Sequence, residues 1–566
     1  MNKSSIVAGF MAILSSVVLL SCSKDDIKPG NVAEGQPQNL TSCIKEEVAL
    51  IRKIAAANNI EADFKSDNPT EWECKNLTIV WEETKGTTGS SIYRVKELRS
   101  GKSKDGGIKS LVLNDEKNYF QHLQRIVLNS AALKEVNLAH APALRTLLID
   151  GTSTGATALQ KISLHDLAVL DSLELQNLLA LETTSEDNGF NIYVNYHYPK
   201  LSYLHIKNTG IKNLTVDPEN PLKELKLEDN KMLTTLTLAT TKLENLSFEA
   251  KDYPVLESLN LRKLDKNSSN TVNIAGLTKL TYTNINNCES VKGINVDNCN
   301  NLKELTVCNC NLKGETCKLG NLPNLKVLDL NGNQIESIDL SALKSVTNLK
   351  LAHNNLASSD QFKLPKKVID LELQGNEKLI KADFTPYKQI ELINLKGTKK
   401  GAENYNKDTP NPLSEINLKG LTNLKRLIAT NNSLKSIFDG TEVFEKLEAL
   451  EVEFNGIDPI GMMNIAKAIE DIGVRVSANF QTYEATLNGR TIDYTTVASY
   501  LDDKRDELEV TVKDQDSKEV STDCYDLKDG LLTFKKPGTY KLYVGGFRRV
   551  VDGMYTTLDS KVFTVK

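Results

Sequence analysis

Apolar residues return through the middle of the chain in a repeating pattern of leucine-type side chains separated by polar ones. The clearest copies begin at Leu302, Leu325 and Val346 and follow the template L-x-x-L-x-L-x-x-N/C-x-L. Successive copies start about 22 residues apart, a spacing that predicts one short strand and one return segment per copy. Because one such unit cannot bury its own apolar face, the copies must stack into an elongated, curved solenoid.

Weaker copies extend this array in both directions. They begin at Leu123, Leu144, Leu201, Leu256, Leu280, Val368, Ile390, Leu424 and Leu447. A half-period of about 11 residues is also visible in the copies that begin at Leu222 and Leu233, so the repeat count stays open between about 12 and 16. We predict repeats over residues 108–481.

The template is that of leucine-rich repeats, and its half-repeat form resembles internalin-like surface proteins of Bacteroidetes over about two thirds of the chain. The resemblance implies a leucine-rich-repeat solenoid with parallel strands on its concave face and helical caps at both ends. It says little about the ligand.

Helical periodicity flanks the array. Ile44, Val48 and Ile51 recur at helical spacing after Ser42, a candidate N-cap, and we assign residues 42–107 to an N-terminal cap. Asp458 followed by Pro459 opens a second amphipathic helix, predicted over residues 459–473 as the C-terminal cap.

Residues 482–566 change to period-two alternation in short segments separated by turn signals. Several short strands spaced in this way predict a β-sandwich. The run Gly538-Thr-Tyr-Lys-Leu-Tyr-Val544 resembles a late strand of bacterial immunoglobulin-like modules. The resemblance implies an all-β immunoglobulin-like sandwich that supports the solenoid.

The pattern of residues 1–22 predicts an export signal, because the apolar segment of residues 6–20 is too short to span a membrane. Leu19-Leu20-Ser21-Cys22 resembles a bacterial lipobox, which implies lipidation of Cys22; the alternative is an ordinary secretory signal. Residues 23–41 are a predicted flexible linker whose acidic start resembles the surface-export tag of Bacteroidetes lipoproteins. We therefore expect an outer-membrane lipoprotein exposed on the cell surface, with the periplasmic side as the alternative.

Position nine of the template has a structural role in the family, where its side chain turns inward and bonds neighbouring backbone. Buried backbone groups at the bend would otherwise lack partners. The position holds Thr209, Cys288, Cys310, Asn333, Asn354, Asn376, Thr398, Asn432 and Asn455.

Five cysteines lie between residues 288 and 317, yet they lack the paired spacing of a zinc ribbon. We expect buried structural thiols; a disulfide within the group and a metal site are the alternatives. Cys308 is the thiol expected to be exposed, and the states of Cys299, Cys317 and Cys524 stay open. Cys43 and Cys74 are a possible disulfide, because an exported protein matures in an oxidising space.

Candidate ligand-binding residues follow from strand alternation, since positions three, five and seven of each copy project from the concave face. They include Tyr203, His205, Tyr282, Asp329, Lys350, Asp370 and Glu372. Asp329, Lys350 and Glu372 fall in one column with alternating charge, which predicts cross-strand pairs. Asp370 and Glu372 could form a carboxylate pair, but an open sheet has no enclosed cleft.

An aromatic concentration interrupts the array within residues 183–199. It contains Tyr196, His197 and Tyr198, which are candidate ligand contacts because insertions in solenoids often lie on the binding side. The alternative is that these rings fill a gap left by an irregular repeat.

Composition and charge exclude some classes of function. The net charge of −5 indicates no basic surface of the kind that binds nucleic acid. No Ser/His/Asp spacing, metal-ligand cluster or phosphate loop is present, so we expect no enzyme activity and no cofactor. The polar, charged face favours a protein ligand, which implies adhesion or cell interaction by a monomer with a lipid anchor. The alternative is a glycan-capture lipoprotein that feeds an outer-membrane uptake system.

Overall fold

The computed structural model describes residues 43–566 apart from 67, 87–88, 102–106, 116, 118, 153–154, 157, 165–166, 185–189, 193–197, 221, 241–246, 265–270, 399–410, 471 and 548–557. The predicted signal, Cys22 and the linker lie outside the described residues, as do Tyr196 and His197. No helix among the described residues is long and apolar enough to cross a membrane.

Two long sheets organise the described part of the chain. The first is here called the N-terminal sheet. Its strands are parallel, except that the two strands at one edge, residues 77–85 and 91–100, pair antiparallel with each other. In sheet order its strands are Glu224–Glu228, Tyr203–Thr209, Ser172–Leu178, Thr146–Asp150, Arg125–Asn129, Ser91–Ser100 and Leu77–Lys85.

The second sheet, here called the main sheet, is parallel throughout. Its strands, in sheet order, are Phe190–Ile192, Asn213–Asn220, Thr235–Thr240, Ser258–Arg262, Tyr282–Asn286, Glu304–Cys308, Val327–Asp329, Asn348–Lys350, Asp370–Glu372, Leu392–Asn394, Arg426–Ile428, Ala449–Glu451 and Arg475–Ser477. It is the ladder of stacked parallel strands that the repeat template predicts.

Shorter parallel strands form the return side of the coils. They are Ser110–Val112, Glu135–Asn137, Lys161–Ser163 and Thr183–Thr184, then Thr271–Asn273, Gly293–Asn295 and Cys317–Lys318, then Ile338–Asp339 with Phe362–Lys363, and Lys381–Asp383 with Glu415–Asn417. Short 3-10 turns occur at Gly314–Thr316 and Ser359–Gln361. These elements confirm a leucine-rich-repeat solenoid.

The template leucines fill the core between the two sides. Leu328, Leu330, Leu349 and Leu351 are fully buried, as are their counterparts in neighbouring coils. One hydrophobic cluster runs along the described coils without interruption. Each coil therefore buries its apolar face against the next, as a repeat array requires.

The two long sheets overlap along the chain between residues 203 and 240. Tyr203–Thr209 and Glu224–Glu228 belong to the N-terminal sheet, whereas Asn213–Asn220 and Thr235–Thr240 belong to the main sheet. Because the inward leucines of both sheets join one core, the two sheets are opposite walls of the same coils. The half-period of about 11 residues marks this overlap, where each half-turn carries a long strand.

A helix spans Lys45–Ala57 beside the first coils, where the periodicity predicts one. It begins at Lys45, and Ile44, which precedes it, makes no side-chain cap; Ser42, the predicted N-cap, lies outside the described residues. Glu47 is buried and accepts a hydrogen bond from Val95 N at 2.8 Å, with Arg94 Nη1 3.4 Å away. Burial raises the pKa of Glu47 despite these contacts. The strands Ala62–Asp63 and Glu73–Cys74 pair antiparallel near the turn Pro69–Glu71.

At the other end, a helix spans Pro459–Ala468 and ends five residues before the predicted stop at Gly473. Asp458 Oδ1 accepts a hydrogen bond from Gly461 N at 2.7 Å, which confirms the predicted capping residue. The last strand of the main sheet, Arg475–Ser477, follows this helix.

The C-terminal residues form two small sheets and a helix that the sequence did not predict, Thr495–Asp503. One sheet contains Gln481–Tyr483, Leu558–Ser560, Gly538–Gly545, Glu509–Asp514 and Phe563–Val565; the other contains Thr491–Asp493, Leu531–Phe534 and Tyr525–Lys528, after the turn Thr522–Cys524. Gln481–Tyr483 pairs parallel with Leu558–Ser560, so this sheet begins directly where the coils end.

Candidate functional site

The outward face of the main sheet carries the predicted charged column in register. Asp329 pairs with Lys350, and Lys350 pairs with Glu372, on three successive strands. Asn348 and Asp370 pair in the neighbouring column. All five side chains are partly exposed, because alternate strand residues point away from the buried leucines.

Lys350 is the central cation of this column. Its Nζ lies 3.2 Å from Glu372 Oε1, and the second carboxylate oxygen of Glu372 accepts a hydrogen bond from Gln374 Nε2 at 3.2 Å. Partial burial by itself would lower the pKa of Lys350, but the hydrogen bond and charge of Glu372, followed by the charge of Asp329, raise it. Lys350 and Glu372 therefore form a fixed pair of opposite charges.

Asp370 lies beside this pair in a less favourable environment. Burial, followed by the charges of Glu391 and Glu372, raises the pKa of its carboxyl group. The neighbouring Asn348 Oδ1 is buried and makes no hydrogen bond within the described residues. The two carboxylates of Asp370 and Glu372 therefore differ in their charge environment.

Tyr282 lies on the same outward face. It pairs in register with Ser258 and Glu304, and one strand separates it from the strand of Asp329. Adjacent strands are about 4.8 Å apart and Asp329 lies two residues further along its strand than the register partner of Tyr282, so the two residues are about 12 Å apart on the sheet. The structure therefore brings Tyr282 and the charged column onto one surface.

Tyr203 and His205 do not join that surface, so the prediction of one shared concave face is wrong for them. Both lie on the N-terminal sheet, whose outward side chains point away from the opposite wall. His205 is 9% exposed, and its ring nitrogens lie 3.5 Å from Glu174 Oε2 and 3.6 Å from Glu228 Oε1. Lys226 Nζ lies 5.2 Å from the ring centroid of Tyr203. These residues form a second, separate polar cluster.

Tyr198 is a core residue, which contradicts its prediction as a ligand contact. It is 4% exposed, and its hydroxyl donates to Leu164 O at 2.5 Å. Burial raises its pKa. For Tyr198, the alternative that an aromatic ring fills a gap in the coils is correct.

The position-nine asparagines of the main sheet form the predicted hydrogen-bonded ladder, but the prediction is wrong for Thr398, whose hydroxyl donates to Glu377 Oε1 at 2.7 Å instead of to buried backbone. Asn354 Nδ2 donates to Leu330 O, Leu351 O and Ala352 O at 3.0–3.2 Å, and its Oδ1 accepts from Ile335 N at 3.1 Å. Equivalent bonds occur at Asn333, Asn376, Asn432 and Asn455. The ladder satisfies the backbone groups where each coil turns.

Cys288 and Cys310 occupy the same ladder position in their coils, and their thiols lie 3.7 and 3.9 Å from Leu261 O and Ile285 O. Cys288, Cys299 and Cys310 are buried, and the thiol of Cys299 donates to Ile274 O at 3.1 Å on the return side. No group of three His, Cys, Asp or Glu side chains is arranged to hold a metal in the described part of the chain.

Cys308 is also buried, so its predicted exposure is wrong. Its side chain is 7% exposed because its thiol turns toward the next strand and donates to Asp329 Oδ1 at 3.0 Å. Burial, followed by that contact, raises its pKa. Cys308 thus supports the charged column instead of offering a reactive thiol.

No disulfide joins Cys43 to Cys74, contrary to the possibility raised by the sequence. Cys43 lies against Tyr93, whereas Cys74 pairs with Ala62 in the small antiparallel sheet. The two residues belong to different local pairings, and burial raises the pKa of Cys74 to about 11.

Sequence reasoning missed two features at the end of the coils. Gln481 occupies the ladder position after Asn455 and is buried. Its Nε2 donates to Val452 O at 2.8 Å, and its Oε1 accepts from Ile457 N at 3.1 Å. Phe454 and Phe480 each precede a ladder residue, and their rings stack with centroids 4.7 Å apart. The spacing of the template, extended by one copy, could have found both features.

Comparisons with known proteins place these observations in context. No protein-family model matches the chain. The chain is 28% identical over 162 residues to keratocan of Danio rerio, a match that covers 26% of this chain and 44% of that protein. It therefore spans less than half the length of the curated relative it matches.

Two solved structures illustrate the similarity. The functional domain of InlJ from Listeria monocytogenes, which includes a cysteine ladder, has 16% identity and a TM-score of 0.36, with 81% of this chain and 91% of that chain covered. LIC12759, a leucine-rich-repeat protein of Leptospira interrogans, has 17% identity and a TM-score of 0.27, with coverages of 63% and 95%. The leucine-rich-repeat fold itself rests on this chain's own strands and asparagine ladder.

Proposed function

We propose that the protein is a non-catalytic cell-envelope lipoprotein that binds a protein ligand through the outward face of the main sheet. The observation that supports this most directly is the ordered charged column of Asp329, Lys350 and Glu372, held on rigid parallel strands. Prealigned charges of both signs favour a complementary protein surface and select against other partners.

The rest of the chain fits a tethered binding protein. Lipidation at Cys22 would anchor it to the outer membrane, and the segment of residues 23–41 would act as a spacer. The helices Lys45–Ala57 and Pro459–Ala468 would close the ends of the core as caps. The C-terminal sheets would serve as an immunoglobulin-like support.

A capture experiment tests the ligand-binding face. The ectodomain from Lys24 onward is immobilised and exposed to host proteins, other bacteria and a glycan panel, and the captured ligand is then tested against Lys350→Glu. The matched control is Lys363→Glu, because Lys363 Nζ also contacts a carboxylate on a neighbouring strand, Asp339 at 3.1 Å, but lies on the return side.

We expect a protein ligand that Lys350→Glu releases and Lys363→Glu retains. If both variants still bind the captured ligand, the outward face of the main sheet is not the binding surface. Capture of a glycan without any protein would instead support the uptake function. Protease shaving of intact cells tests display separately: resistance, while a known surface lipoprotein is cut, would place the protein on the periplasmic side.

A further inference from the structure

Position eight of the template adopts a left-handed backbone along the main sheet. The φ angle is +56° at Asn287, +52° at Asn309, +68° at Gly332, +53° at His353, +71° at Gly375 and +63° at Asn431. Lys263 shares this conformation with a φ of +52°, whereas Gly397, at the same position before Thr398, does not, so most coils but not all bend in this way before the ladder residue. Glycine and asparagine adopt it readily, which explains their recurrence at this position.

Phe454 and Phe480 occupy the same column in the last two coils of the main sheet. Their φ angles are +55° and +62°, so two bulky side chains hold a conformation that costs energy for any residue with a Cβ. Asparagine would fit both positions with less strain. Because Lys263 and His353 hold the same conformation, the strain alone does not distinguish Phe454 and Phe480; the pairing of two aromatic rings on neighbouring coils does.

The rings do not compensate for the strain by entering the core. They stack almost parallel, at an interplanar angle of 7° with centroids 4.7 Å apart, on the surface of the coils. Phe480 is 63% exposed, which places it among the most exposed large apolar side chains of the described residues. One face of the stack is therefore available to a ligand.

A carboxylate lies next to this stack. Glu453 directly precedes Phe454, and its Oε1 accepts a hydrogen bond from Ser477 Oγ at 2.7 Å, so the side chain reaches toward the coil of Phe480. Within the described residues, no Lys, Arg or His forms an ion pair with Glu453, although its neighbour Glu451 is paired with Arg426 at 2.6 Å. An aromatic face beside an unneutralised carboxylate is suited to a cation.

We propose that Phe454, Phe480 and Glu453 form a recognition point for an arginine or lysine side chain of a protein partner. The cationic group stacks on the open face of Phe480, and an N–H of the same group donates to the Glu453 carboxylate. The proposal rests on the proposed function only in that the partner is a protein. It adds a second contact region at the C-terminal end of the main sheet.

The direct test is a titration of the ectodomain, labelled with ring-¹³C phenylalanine, followed by NMR. The probes are the capped peptide Gly-Gly-Arg-Gly-Gly, its isosteric neutral citrulline analogue, and maltotetraose. The Phe480 signal is assigned by its absence from Phe480→Asn. We expect a saturable shift of the Phe480 ring with the arginine peptide, and about two- to fivefold weaker binding of the citrulline peptide and of the arginine peptide to Glu453→Gln.

Phe480→Asn separates binding from structure. Asparagine relieves the left-handed strain, so we expect an unchanged or higher melting temperature together with loss of the peptide-induced shift at Phe454. The control is Val443→Ala, which removes a side chain that is 66% exposed elsewhere on the coils and leaves peptide binding unchanged. A lower melting temperature with peptide binding retained would make the stack structural and overturn the proposal.

Other outcomes are equally decisive. Equal binding of the arginine and citrulline peptides would exclude the cation as the recognised group, and saturation by maltotetraose alone would assign the stack to sugar. If a captured protein ligand depends on Lys350 but not on Phe480, the proposed function stands and this inference fails. If no protein ligand is captured while the arginine peptide still binds at Phe480, the inference stands and the proposed function fails.

Discussion

Lys350 Nζ lies 3.2 Å from Glu372 Oε1 across two neighbouring strands, at the centre of the outward charged column. Both side chains are about 30% exposed or less. An ion pair in such a half-buried position stabilises the fold by about 0.5 kcal/mol, which is small beside its effect on a charged partner. The pair therefore offers a way to separate binding from stability.

The double exchange Lys350→Glu with Glu372→Lys tests this separation. Each single reversal places like charges side by side and should lower stability by about 1 kcal/mol, whereas the double exchange restores an ion pair of opposite direction. We expect near-wild-type urea unfolding for the double variant but loss of the captured ligand. If the double variant binds the ligand normally, the partner does not recognise the order of the charges in the column.

The ladder should be more sensitive than any surface position. Asn354→Ala removes three donated bonds and leaves Ile335 N without its acceptor, so we expect a loss of about 2–4 kcal/mol. The matched control is Asn355→Ala, since the half-buried Asn355 side chain makes no hydrogen bond in the described part of the chain. Urea denaturation followed by circular dichroism measures both; equal losses would contradict a special role for position nine.

Asp370 should destabilise the protein at neutral pH. Its carboxyl pKa is raised in the folded state, so the stabilising, protonated form is fully present below the unfolded value of about 3.9 and is lost as the pH rises through the folded value. Asp370→Asn should therefore raise the melting temperature at pH 7, and the difference should disappear at pH 3. A variant that is less stable at pH 7 would refute this assignment.

Thiol reactivity should follow burial. In the native ectodomain we expect N-ethylmaleimide to modify the partly exposed Cys524 first. Cys74 and Cys317 should react slowly, because burial raises their pKa values to about 11 and about 12. Cys308 and Cys310 should react only after unfolding. Peptide mapping by mass spectrometry gives the order, and early labelling of Cys308 would contradict its contact with Asp329.

The repeat, the ladder and the order of the charged column could all be predicted from the sequence. Each depends on a short pattern that recurs at nearly constant spacing, so that Asp329, Lys350 and Glu372 must meet on adjacent strands if the coils stack. The cap at Asp458 was predictable for the same reason, because it depends on contacts within one turn.

Burial of individual side chains at irregular points was not predictable. Tyr198 is held by Leu164 O, which lies 34 residues earlier in the chain, and Cys308 by Asp329 on the next strand. The strain at Phe454 and Phe480 was hidden as well, because the backbone angle of position eight is set by the stacked coil and not by the residue that occupies it.

By itself, the sequence determined that Tyr203 and Tyr282 both sit at position three of a strand with their neighbouring leucines inward. Only the tertiary structure decided that Tyr203 lies on the N-terminal sheet and Tyr282 on the main sheet. The template states which side chains are buried, but the leucines of both walls enter the same core, so burial alone does not say to which wall a strand belongs. Where both half-turns carry the template, as in residues 203–240, the packing of complete coils alone assigns each strand to its wall.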